Sequence, residues 1–410
     1  QYDTQEIRER FLNAGFREVD GKAFVYVINS CTVTHKADSE SLNAVRRCLR
    51  ENDKANIIVT GCFAELDRKR IEAEKGVRWI VKNKDKKKIP FELSGWPLSR
   101  PVNTECDGIT FFKSHSRAFL KIQDGCNNAC SYCKVPLVRG HSRSKPLTKI
   151  IEEGKNLAAN SYKEIVLTGV CLGAYGRDLK AGLDLVSVIE ELEKIPGILR
   201  IRLSSIEAKD VSLALLKKMA RSKKLCRHLH LPLQSGDNHI LKLMNRRYTR
   251  EDYLRIVAQA MKTIPGIGIT TDILVGFPGE EDEHFNNTLA LVKSINPLRV
   301  HAFSYSKREG TRCALRGDAL VDPCKVKERM RRLSALADSC TRSFCEGFIG
   351  KVYDVLLEAE SKDKPGFWEG YTDNYIKVLL KKGRRMILAN TLIPLKLRTF
   401  KESVMIGYLS

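Results

Sequence analysis

Cys126, Cys130 and Cys133 stand in the run Cys126-Asn127-Asn128-Ala129-Cys130-Ser131-Tyr132-Cys133, a C-x3-C-x2-C spacing directly after a strand-like segment. Three thiolates on one short loop can hold three irons of a four-iron cubane and leave the fourth iron open. A fully ligated ferredoxin site would want a fourth cysteine nearby, and none follows at close spacing. An open iron can take a chelating substrate, much as catalytic zinc sites keep one position free. The alternatives are incidental cysteines or a zinc site, which would want a fourth ligand and usually paired C-x2-C knuckles.

Two further cysteines sit just beyond strand-like runs: Cys31 closes Val27-Ile28-Asn29-Ser30-Cys31, and Cys62 follows Val59-Thr60-Gly61. Equivalent strand ends of one parallel sheet lie on the same edge, so these thiols could meet. A lone buried cysteine usually packs as a small hydrophobe; two at matching positions shift that balance. The chain holds 13 cysteines, an odd number scattered through 410 residues. That pattern argues against a secreted disulfide scaffold and for metal binding or reactive thiols in a reducing, cytoplasmic compartment.

These residues need a frame. A helical stretch begins near Thr4, Ala23 to Asn29 reads as a buried strand, an amphipathic helix runs from about Asp38 to Arg50, and Asn56 to Gly61 is a second buried strand. Continuous apolar strands between helices imply a parallel sheet. After Ile80 the charged run Lys82 to Lys88 and the Pro- and Ser-containing sequence up to Pro101 read as a solvated linker. From Ala118 to Ser306 six strand candidates alternate with helices: 119–122, 164–168, 199–203, 228–231, 269–275 and 299–303. Six βα units in series imply a partial or complete parallel barrel with its site at the C-terminal strand ends. A basic helix follows around Lys325 to Arg342. The tail from about Gly347 has short strand-like runs (351–357, 375–380, 404–408) and reads as a small all-β, OB-like barrel.

Lys plus Arg number 71 against 49 Asp plus Glu, a formal charge of +22, and 43% of residues are hydrophobic. The chain therefore has material for real cores, and its basic excess points to a polyanionic partner or to a merely soluble basic surface. No apolar run has bilayer-spanning length, so no membrane association is expected. The chain opens at Gln1 without an initiator Met and without a signal peptide, so a further upstream segment is expected.

The cysteine triplet matches the signature of the radical S-adenosylmethionine superfamily, in which the cofactor's amino and carboxylate groups occupy the open iron. More widely, the chain resembles the methylthiotransferases of that superfamily. The likeness is carried by Ile165 to Val170, Arg202 to Glu207, Leu229 to Gly236, Arg246 to Thr249, Thr271 to Glu280 and Tyr305 to Thr311. The tail resembles a TRAM domain, a small RNA-binding β-barrel. The phrases Asn29-Ser30-Cys31-Thr32-Val33-Thr34 and Glu369-Gly370-Tyr371-Thr372-Asp373-Asn374-Tyr375-Ile376 are most similar to the type acting on threonylcarbamoyladenosine in tRNA. The resemblance implies an α/β protein in three parts: an N-terminal parallel-sheet domain over 1–100, a partial (β/α)6 radical SAM barrel over 112–342, and a TRAM domain over 345–410.

It also implies two 4Fe-4S clusters and S-adenosylmethionine. Cys126, Cys130 and Cys133 would hold one cluster. Cys31 and Cys62 would hold an auxiliary one, whose first ligand belongs to a Gly-Cys-Lys-like turn upstream of Gln1; Cys48, mid-helix, is expected to pack. Tyr132 would lie near the adenine or simply pack the loop. Gly169 would admit the methionine end of the cofactor. Ser205, Glu207 and Gln234, at strand ends, would reach cofactor or base, or else satisfy buried backbone. Cys171 departs from the histidine common in this type, and Cys313, Cys324, Cys340 and Cys345 have no derived role.

One S-adenosylmethionine would methylate a sulfur on the auxiliary cluster; another, cleaved reductively, would yield a 5′-deoxyadenosyl radical that takes hydrogen from C2 of the target adenine. The partners implied are a tRNA anticodon loop, with its base splayed out, and an electron donor. Phe367, Trp368, Tyr371 and Tyr375 would add an aromatic face for RNA or form the tail's core. The rival readings are a methylthiotransferase acting on isopentenyladenosine or on a ribosomal-protein aspartate, and a non-enzymatic RNA-binding protein with a structural metal site.

Overall fold

The computed structural model describes residues 1–90, 108–112, 116–180, 182–383 and 387–409. The chain divides into two compact units. The first gathers Gln1–Phe111, Gly125–His141 and Ser306–Leu315; the second gathers Phe112–Asp124, Ser142–Tyr305 and Arg316–Ser410. Among the described residues no helix is long and apolar enough to cross a membrane.

The first unit is built on a parallel three-stranded sheet, β1 (Val25–Ser30), β2 (Asn56–Gly61) and β3 (Val77–Ile80), in that order. Strand β2 is central and every one of its residues is buried, which is why its sequence is continuously apolar. The helix His35–Glu51 begins where Thr34 accepts a hydrogen bond from the Ala37 amide at 3.2 Å, and it buries Leu42, Val45 and Cys48 against Ile57, Val59 and Phe63. Cys48 thus packs, as its mid-helix position implied.

The charged stretch after Ile80 corrects the linker reading. Asn83–Lys88 forms a short 3-10 helix, and Lys86 is buried with its ammonium 2.5 Å from Asp3. Arg10 donates to the Lys87 carbonyl at 2.7 Å, and Lys87 lies 3.8 Å from Glu6. The first helix, Tyr2–Asn13, buries Asp3, Glu6 and Glu9, and buried carboxylates require cations or donors nearby; the lysine run supplies them to Asp3 and Glu6, while Gln5 and Thr110 donate to Glu9. The rest of the expected linker, up to Pro101, and the domain edge at residue 100 lie outside the described residues.

The second unit opens with β4 (Arg117–Lys121) and a small antiparallel pair, β5 (Gln123–Asp124) and β6 (Arg143–Ser144). Strands β4, β7 (Glu164–Thr168) and β8 (Arg200–Leu203) form one parallel sheet; β9 (His228–His230), β10 (Gly268–Val275) and β11 (Arg299–Ser304) form another. Parallel bridges Ile201↔Leu225 and Ser205↔His230 link the two into the expected six-stranded partial barrel. Register places Arg117, Glu164 and Arg200 abreast. Arg202 pairs with Glu164 through a 2.7 Å Nε bond.

The helix Pro323–Glu346 leads to a closed barrel of β12 (Val352–Glu360), β13 (Phe367–Thr372), β14 (Lys377–Lys381), β15 (Thr391–Lys401) and β16 (Val404–Leu409). Three of these strands were legible. β13 is short and opens directly after Gly366, while β15 contains Pro394 and exposed charges at Lys396 and Arg398, features that demote a strand when read locally. Arg200 donates to the Tyr371 and Asp354 carbonyls, and Arg202 to that of Asp373, so the tail barrel rests on the β8 arginines. Tyr371 and Tyr375 stack at 5.0 Å, with the Arg202 guanidinium 4.7 Å from the Tyr375 ring. Those two aromatics face the barrel strands rather than forming an open RNA-binding face. Trp368 packs on the tail core.

Candidate cluster and cofactor sites

The cysteine loop is pinned at both ends by backbone. The Cys126 amide bonds the Gly140 carbonyl at 3.0 Å, and the Cys133 amide bonds Cys130 at 3.2 Å. Gly125, at φ +72°, starts the turn; a Cβ there would meet the His141 carbonyl oxygen at 2.0 Å, so glycine is required. Backbone amides aim at the sulfurs: Asn128 N–H at Cys126 Sγ (3.3 Å) and Val135 N–H at Cys133 Sγ (3.4 Å). Such N–H···S bonds favour thiolate and tune bound clusters. The three cysteines line a cavity of about 490 Å³ with Pro136, Leu137, His141, Gly310 and Arg312. Among the described residues no three His, Cys, Asp or Glu side chains converge on a point for a single metal ion. Tyr132 is half-buried in the same loop.

Strand register places the other two cysteines just beyond matching ends of neighbouring strands. Ser30 pairs with Gly61, so Cys31 and Cys62 are the next residues on two neighbouring strands. Gly61 has φ +97°, and a Cβ would lie 2.3 Å from the Ser30 oxygen. Cys31 is exposed and Cys62 buried at the start of the short helix Cys62–Leu66. The Asn83 side-chain amide lies 3.7 Å from Cys62 Sγ and donates to the Val138 carbonyl at 2.9 Å.

Sequence reasoning missed the charged group beside Cys31. Arg308, buried, bonds through Nη2 to Thr32 Oγ1 (2.6 Å) and Asp38 Oδ2 (2.7 Å), while the Thr32 hydroxyl donates to Asp38 Oδ1 at 2.7 Å. Lys134, next to Cys133, is buried too; burial first, then the nearby Arg308, push its ammonium below the usual lysine range. Arg308 lay inside the segment Tyr305 to Thr311, but nothing local marks its partners.

In the second unit Gly169 abuts Gln123: a Cβ would sit 3.0 Å from Gln123 Oε1. That side chain, 1% exposed, accepts from the Cys171 amide (2.8 Å) and donates to Ser142 Oγ (2.9 Å). Ser205 is held in its bridge to His230. Glu207 pairs with Arg246, whose Nε donates to the Tyr248 hydroxyl at 3.1 Å. Gln234 takes a left-handed φ of +67° while its backbone bonds Asp272 and Leu274 on β10; such strain in a non-glycine residue concentrates at functional sites. His230 lies 3.2 Å from Asp272, and burial lowers the affinity of the neighbouring His301 for a proton.

A family model described as the Radical SAM superfamily matches residues 120–292, and one described as Uncharacterized protein family UPF0004 matches residues 1–82. Threonylcarbamoyladenosine tRNA methylthiotransferase MtaB of Bacillus subtilis is 38% identical over 403 residues, spanning 94% of this chain and 89% of that protein. This chain belongs to the radical S-adenosylmethionine methylthiotransferase family. Another member, the tRNA-2-methylthio-N(6)-dimethylallyladenosine synthase of Acetivibrio thermocellus, is 33% identical over 91% of this chain and 81% of its own length. Among solved structures, the radical S-adenosylmethionine methyltransferase TsrM from Kitasatospora setae, with cobalamin and a [4Fe-4S] cluster bound, aligns with a TM-score of 0.52. At 13% identity, over 76% of this chain and 68% of that one, this likeness speaks to the fold alone.

Methylthiotransferases work with S-adenosylmethionine and two four-iron clusters, and the donor sets here fit that chemistry. Sulfur ligands backed by amide donors suit iron–sulfur clusters. The buried Arg308 guanidinium, bonded to Thr32 next to Cys31, suits the negative charge that thiolates and sulfides bring.

Proposed function

We propose that this methylthiotransferase adds a methylthio group at C2 of N6-threonylcarbamoyladenosine next to the anticodon of a tRNA. The observation that carries this reading is likeness along nearly the whole chain to an enzyme named for that substrate, at 38% identity. The relative named for dimethylallyladenosine stands at 33%. The formal charge of +22 favours a polyanionic partner over a protein side chain.

In this reading Cys126, Cys130 and Cys133 hold the cluster that binds S-adenosylmethionine, and Cys31 and Cys62 hold the auxiliary cluster. When bound, these groups supply hydrogen abstraction, a methyl group and sulfur. The chain's task is to ligate, orient and exclude water. Tyr132 lies beside the adenine of the cofactor. Gly169, packed on Gln123, keeps the strand end bare of a side chain there. Glu207, fixed by Arg246, and Ser205 and Gln234, fixed by neighbouring strands, present polar atoms to cofactor or base at the C-terminal strand ends. An electron donor of the cytoplasm completes the reaction.

The test uses full-length protein with both clusters reconstituted without oxygen, incubated with S-adenosylmethionine, a strong reductant and tRNA carrying threonylcarbamoyladenosine. Mass spectrometry of the digested nucleosides should reveal a methylthio adduct on that nucleoside. 5′-Deoxyadenosine without the adduct would overturn the substrate assignment; adduct formation on dimethylallyladenosine alone would replace it.

A further inference from the structure

Register sorts the side chains of β9, β10 and β11 onto two faces. Thr270 lies opposite His230, Asp272 opposite His301, and Leu274 opposite Phe303, and residues abreast in a sheet share a face. Thr270 Oγ1 bonds both His228 Nε2 (3.0 Å) and His230 Nδ1 (2.8 Å), as that arrangement requires. The other face packs on the helix Arg250–Thr263, whose Tyr253 hydroxyl donates to Thr271 Oγ1 at 3.2 Å. The histidine face therefore lines the inside of the partial barrel. Such interiors are normally filled by branched apolar side chains. Here the layer consists of imidazoles, a hydroxyl and a carboxylate, which suits a polar occupant. Tyr375 closes its floor, 4.5 Å from the His228 ring. Exposure rises from 3% at His228 to 17% and 23% for the His230 and Asp272 side chains and 49% at Phe303, so the lumen opens toward the C-terminal strand ends.

The hydrogen bonds fix which atoms are left for a ligand. His228 is kept uncharged by burial first and then by Arg202, and its Nδ1 has no hydrogen-bond partner among the described residues. Stranded N–H groups are rarer than stranded acceptors, which assigns its proton to Nε2, donated to Thr270 Oγ1. Thr270 then donates to His230 Nδ1, and His230 carries a proton on Nε2, 3.2 Å from Asp272 Oδ2. The second Asp272 oxygen remains as an acceptor. Beside it His301 is half-buried, its ring 5.6 Å from that of His230, and no hydrogen bond engages its nitrogens among the described residues. Burial first, then His230, lower its proton affinity, so one ring nitrogen donates and the other accepts.

We propose that His301 and Asp272 read the N6 side of the target adenine: Asp272 accepts from N6–H, His301 pairs with the urea of a carbamoyl substituent, and the exposed Phe303 ring stacks on the purine. The inference rests on the reading of a modified tRNA adenosine as the substrate. A urea offers a carbonyl acceptor and N–H donors, which matches an imidazole holding one of each. A dimethylallyl group offers neither and would strand the ring's polar atoms. Unstacked RNA bases are commonly held on aromatic side chains in this way.

The test measures binding of anticodon stem-loop RNAs to the full-length protein with both clusters assembled. The target adenosine carries N6-methylcarbamoyl in one RNA and N6-methyl in the other, so the two differ by the urea alone. The parent protein should bind the first roughly fivefold to tenfold more tightly, as one or two neutral hydrogen bonds predict. H301F, which keeps a ring and loses its nitrogens, should bind the two alike, and D272N should weaken both together. Each protein serves as its own reference, so partial unfolding lowers both affinities and leaves their ratio. Should H301F not fold, H301L serves the same comparison. A preference that is absent from the parent, or undiminished in the apolar variant, would overturn the role of His301; unchanged binding of both RNAs by D272N would overturn that of Asp272. If the parent instead binds an RNA carrying dimethylallyladenosine more tightly than one carrying threonylcarbamoyladenosine, the substrate reading falls and the inference falls with it.

Discussion

Ser30 and Gly61 lie directly opposite each other at the ends of β1 and β2, so closely that a Cβ on Gly61 would stand 2.3 Å from the Ser30 oxygen. Neither strand can shift without moving the cysteine that follows. Substituting Gly61→Ala should therefore cost about 2–4 kcal/mol from left-handed strain and overlap. Urea unfolding measures that cost, and iron analysis should register loss of one cluster's iron. An unchanged unfolding midpoint with full iron content would show that the strand ends are looser than their register implies.

The two cysteine sets should be separable in function. Replacing Cys126, Cys130 and Cys133 with Ala should abolish 5′-deoxyadenosine formation. Replacing Cys31 and Cys62 should leave that product but eliminate the methylthio nucleoside. Chromatography of reductant-treated samples distinguishes the two, and the assignment fails if the second variant still makes methylthio product.

Glu164 is fully buried among Arg202, Arg117 and Arg200. Burial alone would raise its pKa, but these guanidiniums hold it below the ordinary value of 4.5. A depressed carboxylate contributes stability that is fully present above its unfolded pKa and is lost as pH falls through the folded one. Unfolding midpoints should therefore drop as pH falls below about 4.5, and Glu164→Gln should lose about 3–5 kcal/mol near neutrality by stranding the arginines. The variant should also show a flatter acid limb; a parallel one would assign the acid sensitivity to other groups.

Gln123 links three parts of the strand-end region: it accepts from the Cys171 amide, donates to Ser142 and packs on Gly169. Gln123→Ala leaves a buried amide unpaired, at a cost of about 1–3 kcal/mol. Equilibrium dialysis should reveal weaker S-adenosylmethionine binding as well. If stability falls while binding holds, Gln123 braces the loop without shaping the cofactor site.

Much of this molecule was legible locally. Period and apolar continuity located β2, the six barrel strands and the helix His35–Glu51, because each is specified by residues within one or two turns of itself. β15 escaped because Pro394 and its exposed charges contradict a strand when read alone; pairing with both β12 and β16 overrides them. The lysines after Ile80 looked solvated because the acids they serve, Asp3 and Glu6, lie at the other end of the first unit's sequence.

By itself the sequence determined the chemistry available: the C-x3-C-x2-C spacing, the two strand-end cysteines and the βα rhythm that places them are all local patterns. Tertiary structure alone decided what surrounds them. Arg308 meets Thr32 across 276 residues, Asn83 reaches Cys62, and Tyr375 turns toward the barrel arginines. An ion pair or hydrogen bond between distant segments leaves no periodic trace in either one, since its energy depends on burial and distance that only the folded chain creates.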